Sequence, residues 1–253
     1  SGVDKNRLVD VSQWGRTIWA SMNNAFADCG NLQISATDVP NLSLVTDMNT
    51  MFYGCKILNG PANINTWNTQ NVTNMSYLFY GAEAFNQPLG NWNTRNVTNM
   101  TGMFREARAF NQPIGNWNTQ NVTLMEQMFS NADVFNQPIG NWSTQNVSSM
   151  LTMFNGALAF NQPIGNWNTQ NVTNMTAMFT GALAFNQPIG TWNTQKVTAM
   201  GGMFRNALAF NQSIGNWNVQ LVANLNSMFE GATAFDQSLA SWTLNASQGM
   251  ALI

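Results

Sequence analysis

The sequence predicts an α/β repeat fold: a right-handed solenoid of 25-residue coils, each built from a short strand and a short helix. Three observations predict it. Tryptophan recurs at Trp67, Trp92, Trp117, Trp142, Trp167, Trp192, Trp217 and Trp242 without a slip in the interval. Phe85, Phe110, Phe135, Phe160, Phe185, Phe210 and Phe235 keep the same beat. So do Val72, Val97, Val122, Val147, Val172, Val197 and Val222. A fixed period of this size means one supersecondary unit stacked on copies of itself, because no unit can bury its apolar face alone. The repeat covers most of the 253 residues, so one elongated body is expected rather than two globular domains.

The helix is read from the unit Trp117 to Asn141. Val122, Met125, Met128, Phe129 and Ala132 fall at i, i+3, i+6, i+7 and i+10, while Thr123, Leu124, Glu126 and Gln127 lie off that stripe. Its N-cap is either Thr119 or Asn121, whose side-chain oxygens can satisfy a free N–H of the first turn. Val219 and Leu221 replace those two residues in the seventh full unit, so that coil is expected to have the weakest cap.

The strand is read from Phe135 to Trp142, as a turn followed by a short extended segment. Phe135, Ile139 and Trp142 cannot share a face by strict alternation, so a bend or bulge is expected near Gly140. Pro138 has no N–H to give a ladder, which places it at the start of that strand. Each coil then sends Val, two Met or Leu, Phe, Ala, Phe, Ile or Leu, and Trp inside. At about 1.5–3 kcal/mol per large buried side chain, such a core is ample to hold the stack.

The ends depart from the grammar. Residues 1–44 carry Trp14, Trp19, Met22 and Phe26 without the full pattern and read as an N-terminal cap and degenerate first coil. The regular array runs over 45–241, with two extra residues between Val45 and Trp67. Residues 242–253 read as a partial C-terminal coil or cap; they hold Trp242 and Met250 but stop before the Met-Phe pair, and a cut coil is the expectation. Cys29 and Cys55 share the column that later holds Ala82, Ala107, Ala132, Ala157, Ala182, Ala207 and Ala232. Two small buried thiols are expected there rather than a disulfide.

Composition removes several classes of function. Only 8% of residues are charged, the net charge is -2 and the pI is near 4.9, so no basic field draws nucleic acid or anionic lipid. No apolar run approaches the roughly 18–20 residues of a membrane span, so no membrane insertion is expected. Histidine is absent, which removes the commonest general base and metal ligand. No Gly-x-Gly-x-x-Gly at a strand-to-helix turn and no metal spacing of Cys and His occurs. Glu83, Glu106, Glu126, Asp133 and Glu230, with Arg105, Arg108 and Arg205, sit at variable outward columns and read as solvated surface. The expectation is a protein that is not an enzyme, with no catalytic residues, no cofactor and no metal.

The unit length matches leucine-rich repeats. The wording is more specific: residues 165 to 189, Gly-Asn-Trp-Asn-Thr-Gln-Asn-Val-Thr-Asn-Met-Thr-Ala-Met-Phe-Thr-Gly-Ala-Leu-Ala-Phe-Asn-Gln-Pro-Ile, closely resemble the 25-residue repeat of BspA-like surface proteins, a repeat also found in mycoplasma lipoproteins and marine bacteria. The resemblance covers about residues 45 to 242. It implies a secreted or surface-exposed leucine-rich solenoid, adhesion to host matrix proteins in some members, and no catalytic residues. Gln70, Gln120, Gln145, Gln170, Gln195 and Gln220 depart from it, at a column where the family often has Ser.

Three repeated features invite functional and structural readings together. Asn86, Asn111, Asn136, Asn161, Asn186 and Asn211, each followed by Gln, read as an internal amide ladder between coils rather than a ligand site. The tryptophans read as core rather than as a sugar platform. Asn71-Val72-Thr73 and its copies match glycosylation sequons, a match forced by the repeat itself.

The candidate binding face is Asn68, Thr69, Asn93, Thr94, Asn118, Thr119, Thr144, Asn168, Thr169, Asn193 and Thr194. The expected partner is a macromolecular or glycan surface, met outside the cell or on its surface by an adhesion or recognition module. The alternative is ice, ordered by the nearly uncharged Thr and Asn columns. The Thr hydroxyls are read as spent on helix caps, so little ice activity is expected.

Overall fold

The computed structural model describes residues 4–244 as a single stack of coils. Met250 and the rest of the expected terminal coil, 245–253, lie outside the described residues. Two short strands precede the regular array: β1 (Asp10–Val11) pairs in parallel with β2 (Gln33–Ile34). From Met22 onward the coils repeat one hydrogen-bonding scheme.

That scheme is not helical, which corrects the strand-plus-helix expectation. No α-helix forms among the described residues; the Met-Phe segment is a chain of β-turns. Successive N–H groups alternate in destination. Gly102, Phe104 and Glu106 donate to the carbonyls of Glu126, Met128 and Ser130 on the next coil, at 2.8, 3.0 and 2.8 Å. Met103, Arg105 and Ala107 donate within the coil to Met100, Gly102 and Phe104, at 3.2, 3.1 and 3.1 Å. An α-helix would spend every N–H four residues back in its own segment. Here alternate N–H groups tie neighbouring coils together.

The backbone shows how. Two columns per coil hold positive φ, one at Thr50, Tyr77, Gly102, Gln127, Thr152 and Ala177, the other at Gly54, Gly81, Glu106, Asn131, Gly156 and Gly181. Each is the third residue of a turn, the position where a type II turn takes positive φ. Turns closed three residues apart, Met125 to Met128 and Phe129 to Ala132, bring these side chains inward at a spacing that mimicked a helical stripe. No N-cap exists. Val219 is buried, and the Val222 N–H closes onto its carbonyl at 3.0 Å like the turns at Thr119 and Thr169, so the expected weak start of that coil is absent.

The strand also lies elsewhere. Coils meet through single-residue parallel bridges along Asp47, Asn74, Asn99, Leu124, Ser149, Asn174, Ala199 and Asn224, two residues past the Val column in the regular coils. Such pairing sets neighbouring coils about 4.8 Å apart. Ile139 to Trp142 forms a turn instead, closed by the Trp142 N–H on the Ile139 carbonyl at 3.1 Å. Glycine is needed at that turn because the next coil comes close: a Cβ at Gly165 would stand 2.6 Å from the Pro188 carbonyl oxygen.

The core holds two continuous phenylalanine columns beside a column of buried tryptophans. Phe79, Phe104, Phe129, Phe154, Phe179 and Phe204 stack with centroids 5.6–5.8 Å apart. Phe129 also stacks on Phe135 at 4.0 Å in its own coil, and Trp117 lies parallel over Trp142 at 6.3 Å. Burial of such rings is the largest favourable contribution available to this chain. Each indole N–H from Trp92 onward is satisfied by the preceding coil, as Trp142 Nε1 donates to the Ile114 carbonyl at 3.1 Å. Trp67, next to the two-residue insertion, keeps a buried indole N–H without a partner.

Cys29 and Cys55 occupy equivalent inward turns of adjacent coils, and both are free and buried. The Cys55 thiol donates to the Phe26 carbonyl at 3.1 Å. Burial pushes its pKa up to about 12.

Candidate functional site

The segment after each tryptophan is extended, and its side chains alternate: Trp117 in, Asn118 out, Thr119 in, Gln120 out. This alternation divides the candidate face in two. Thr69, Thr94, Thr119, Thr144, Thr169 and Thr194 are only 1–2% exposed, so they belong to the interior and not to a binding surface. Each hydroxyl donates to a backbone carbonyl of the next coil, as Thr94 does to Asn118 at 3.0 Å and Thr169 to Asn193 at 2.9 Å. They are rungs between coils, neither helix caps nor exposed hydroxyls.

Asn68, Asn93, Asn118, Asn168 and Asn193 are exposed and in register. Each Oδ1 accepts the N–H two residues on, at 3.0–3.2 Å, as Asn118 does from Gln120. This Asx turn fixes the rotamer and leaves the amide nitrogen directed to solvent. The column that holds Gln thereby serves through its backbone, where its departure from Ser costs nothing. At the one coil with Ser143 in place of Asn, the Ser143 hydroxyl donates to Gln145 Oε1 at 2.6 Å.

The other polar columns are spent internally. The Asn111 and Asn136 N–H groups donate to the Asn86 and Asn111 side-chain oxygens at 2.9 and 3.0 Å, and the following Gln amides donate to the same oxygens, so the expected ladder is present. The sequon asparagines are engaged too. Asn71, Asn96, Asn121, Asn146 and Asn171 donate their amide nitrogens to carbonyls of the preceding coil at 2.7–2.8 Å. A second exposed row, Thr73, Thr98, Thr123, Thr173 and Thr198, donates likewise at 3.1–3.3 Å.

A further cluster escaped the sequence reading. All three tyrosines of the chain, Tyr53, Tyr77 and Tyr80, meet on one side of two neighbouring coils. Tyr53 and Tyr80 stack at 4.6 Å, Arg105 lies 5.0 Å over the Tyr80 ring, and Tyr80 donates its hydroxyl to Glu106 at 3.2 Å. Tyr77 covers Gly102, where any side chain would collide with its ring. The signal was available in the sequence: tyrosine occurs nowhere else, and Tyr53 and Tyr80 share one column. Among the described residues, no group of three His, Cys, Asp or Glu side chains is placed to hold a metal ion, and no helix is long and apolar enough to cross a membrane.

A family described as "Mycoplasma protein of unknown function, DUF285" matches residues 20–138, 110–207 and 159–252. A comparison with curated proteins finds no match. Among solved structures, a leucine rich cell surface protein from Faecalibacterium prausnitzii A2-165 is similar at 12% identity, over 89% of this chain and 76% of that one, with a TM-score of 0.33.

Proposed function

The chain belongs to the family described as "Mycoplasma protein of unknown function, DUF285", and from that premise we propose that it is a non-enzymatic binding module of the cell surface or extracellular space. Its coils wind as a right-handed solenoid and engage a macromolecular or glycan surface through repeated outer rows. The observation that carries this reading is the Asn68, Asn93, Asn118, Asn168 and Asn193 row, each rotamer fixed by its Asx turn with the amide facing solvent. Donors held in place lose little freedom on binding, so weak individual contacts accumulate along the stack. The resemblance of the repeat to BspA-like arrays supports a surface setting and a binding role.

The test is biolayer interferometry of the purified chain against immobilised mucin, collagen, cellulose and chitin. Saturable binding to at least one, weakened by Asn-to-Asp changes in the row, supports the proposal. A chain that binds none of them contradicts it. Ice binding has lost the Thr column that motivated it, since those hydroxyls are buried rungs.

A further inference from the structure

The tyrosine cluster borders a trough that the rest of the stack does not reproduce. One positive-φ column reads Asp28, Gly54, Gly81, Glu106 along successive coils. Gly54 and Gly81 therefore form a bare floor two coils wide, with a carboxylate standing at each end. Tyr53 and Tyr80, one residue earlier in each coil, make one wall. Lys56 and Glu83, two residues later, make the other. The cavity between them measures about 550 Å³, within the roughly 300–1,000 Å³ of small-ligand sites.

The charges around this floor cancel in pairs. Lys5 meets Asp28 at 2.8 Å, Lys56 meets Glu83 at 3.5 Å, and Arg105 meets Glu106 at 3.6 Å. An ionic ligand would face a like charge for every opposite one and gain little for its desolvation. An uncharged polyhydroxyl ligand fits better. Its hydroxyls can donate to carboxylate oxygens that still have free lone pairs, bonds stronger than neutral ones, while its C–H groups pack against the parts of Tyr53 and Tyr80 that line the trough. We propose that the Tyr53, Tyr80, Glu83 trough is a discrete binding site for a neutral saccharide unit, separate from the repeated Asn rows.

The stack carries its own control. Gly156 and Gly181 repeat the bare two-coil floor with the same φ of 67°. There the walls are Asn155 and Thr180 on one side and exposed Leu158 and Leu183 on the other, with Asn131 and Asn206 at the ends. The backbone is shared and the ring, carboxylate and ammonium groups are missing, so this second floor binds no saccharide.

Saturation-transfer NMR and calorimetry on the full chain test the assignment, with maltotriose, cellotriose, chitotriose and lactose as neutral probes and sialyllactose as the anionic one. At least one neutral probe should bind. Tyr53→Ser, a residue type the column already accepts at Ser130, should weaken it at least about tenfold, as should Glu83→Gln, while Leu158→Ser should leave it unchanged. Failure of all four neutral probes, tighter binding of sialyllactose, or equal binding by Glu83→Gln in a folded chain overturns the site. Mucin binding separates the two proposals. If Tyr53→Ser leaves it intact and no neutral probe binds, the trough falls and the Asn rows stand; if Tyr53→Ser abolishes it and Asn-to-Asp changes do not, the rows fall and the trough stands.

Discussion

Thr119 and Ser143 exchange hydrogen bonds across two coils: Thr119 Oγ1 donates to the Ser143 carbonyl at 3.1 Å, and the Ser143 N–H donates back to Thr119 Oγ1 at 2.8 Å. The hydroxyl satisfies both backbone groups of its neighbour at a position nearly sealed from water. Thr119→Val keeps the shape and removes both bonds, so it should destabilise the chain by about 1–3 kcal/mol, the cost of stranding buried polar groups. Thr123→Val, on the exposed row, should cost about 0.5 kcal/mol or less. Denaturant titration compares them, and equal effects would return Thr119 to the surface.

Gly165 should be intolerant of even one added carbon. Its Cβ would meet the Pro188 carbonyl oxygen at 2.6 Å, and that oxygen belongs to backbone that cannot swing aside. Gly165→Ala should cost about 1–3 kcal/mol by overpacking, whereas Asn166→Ala, exposed next to it, should stay within about 0.5 kcal/mol. Thermal melts that rank the two alike would mean the coils are spaced more loosely than described.

Cys55 makes stability depend on alkaline pH. Burial raises its folded-state pKa to about 12, against roughly 8.5 in an unfolded chain. A raised pKa contributes stability that is fully present below the unfolded value and is lost as pH climbs toward the folded one. The wild-type chain should therefore lose stability relative to Cys55→Ala between about pH 8.5 and pH 12. Alanine is the residue that Ala82 and its successors already place in this column. Parallel pH profiles for the two proteins would contradict the buried, protonated thiol.

The period and the core were legible because they are written in large residues. Trp117, Phe129, Phe135 and Val122 name their own columns, and burial leaves them little choice. The local structure was less legible, because a spacing of three suits both a helix and a chain of β-turns. Gly and Asn at Gly81, Asn131, Gly156, Gly181, Asn206 and Gly231 were the clue to turns, since they tolerate positive φ. The second column hid the same conformation under Thr50, Tyr77, Gln127 and Ala177, residue types that announce nothing. Thr119 was misplaced for a related reason. Its inward direction follows from the extended Trp117 to Gln120 alternation, which the helix-cap reading overrode. The tyrosine trough was masked by the two extra residues between Val45 and Trp67, which set Tyr53 and Tyr80 at a separation of 27 rather than 25.

Ice activity should be absent. A regular hydroxyl row must face the crystal, and Thr119, Thr144 and Thr169 face the interior with their hydroxyls bound to the next coil. Nanolitre osmometry should find no thermal hysteresis beyond that of the buffer. Hysteresis that disappeared on replacing those three residues by valine would contradict the placement of the column.

Under the proposed function, attachment is spread along the Asn row. Asn118→Asp preserves the oxygen that accepts the Gln120 N–H and exchanges the outward amide donor for a carboxylate, so the fold is kept while the contact is lost. The decisive measurement is the affinity of the full chain for its bound surface as Asn93, Asn118, Asn168 and Asn193 are changed to Asp one after another. A stepwise fall with each coil, in any order of substitution, is the predicted result. Affinity that holds through three changes and collapses at a single one, or never falls at all, would contradict it.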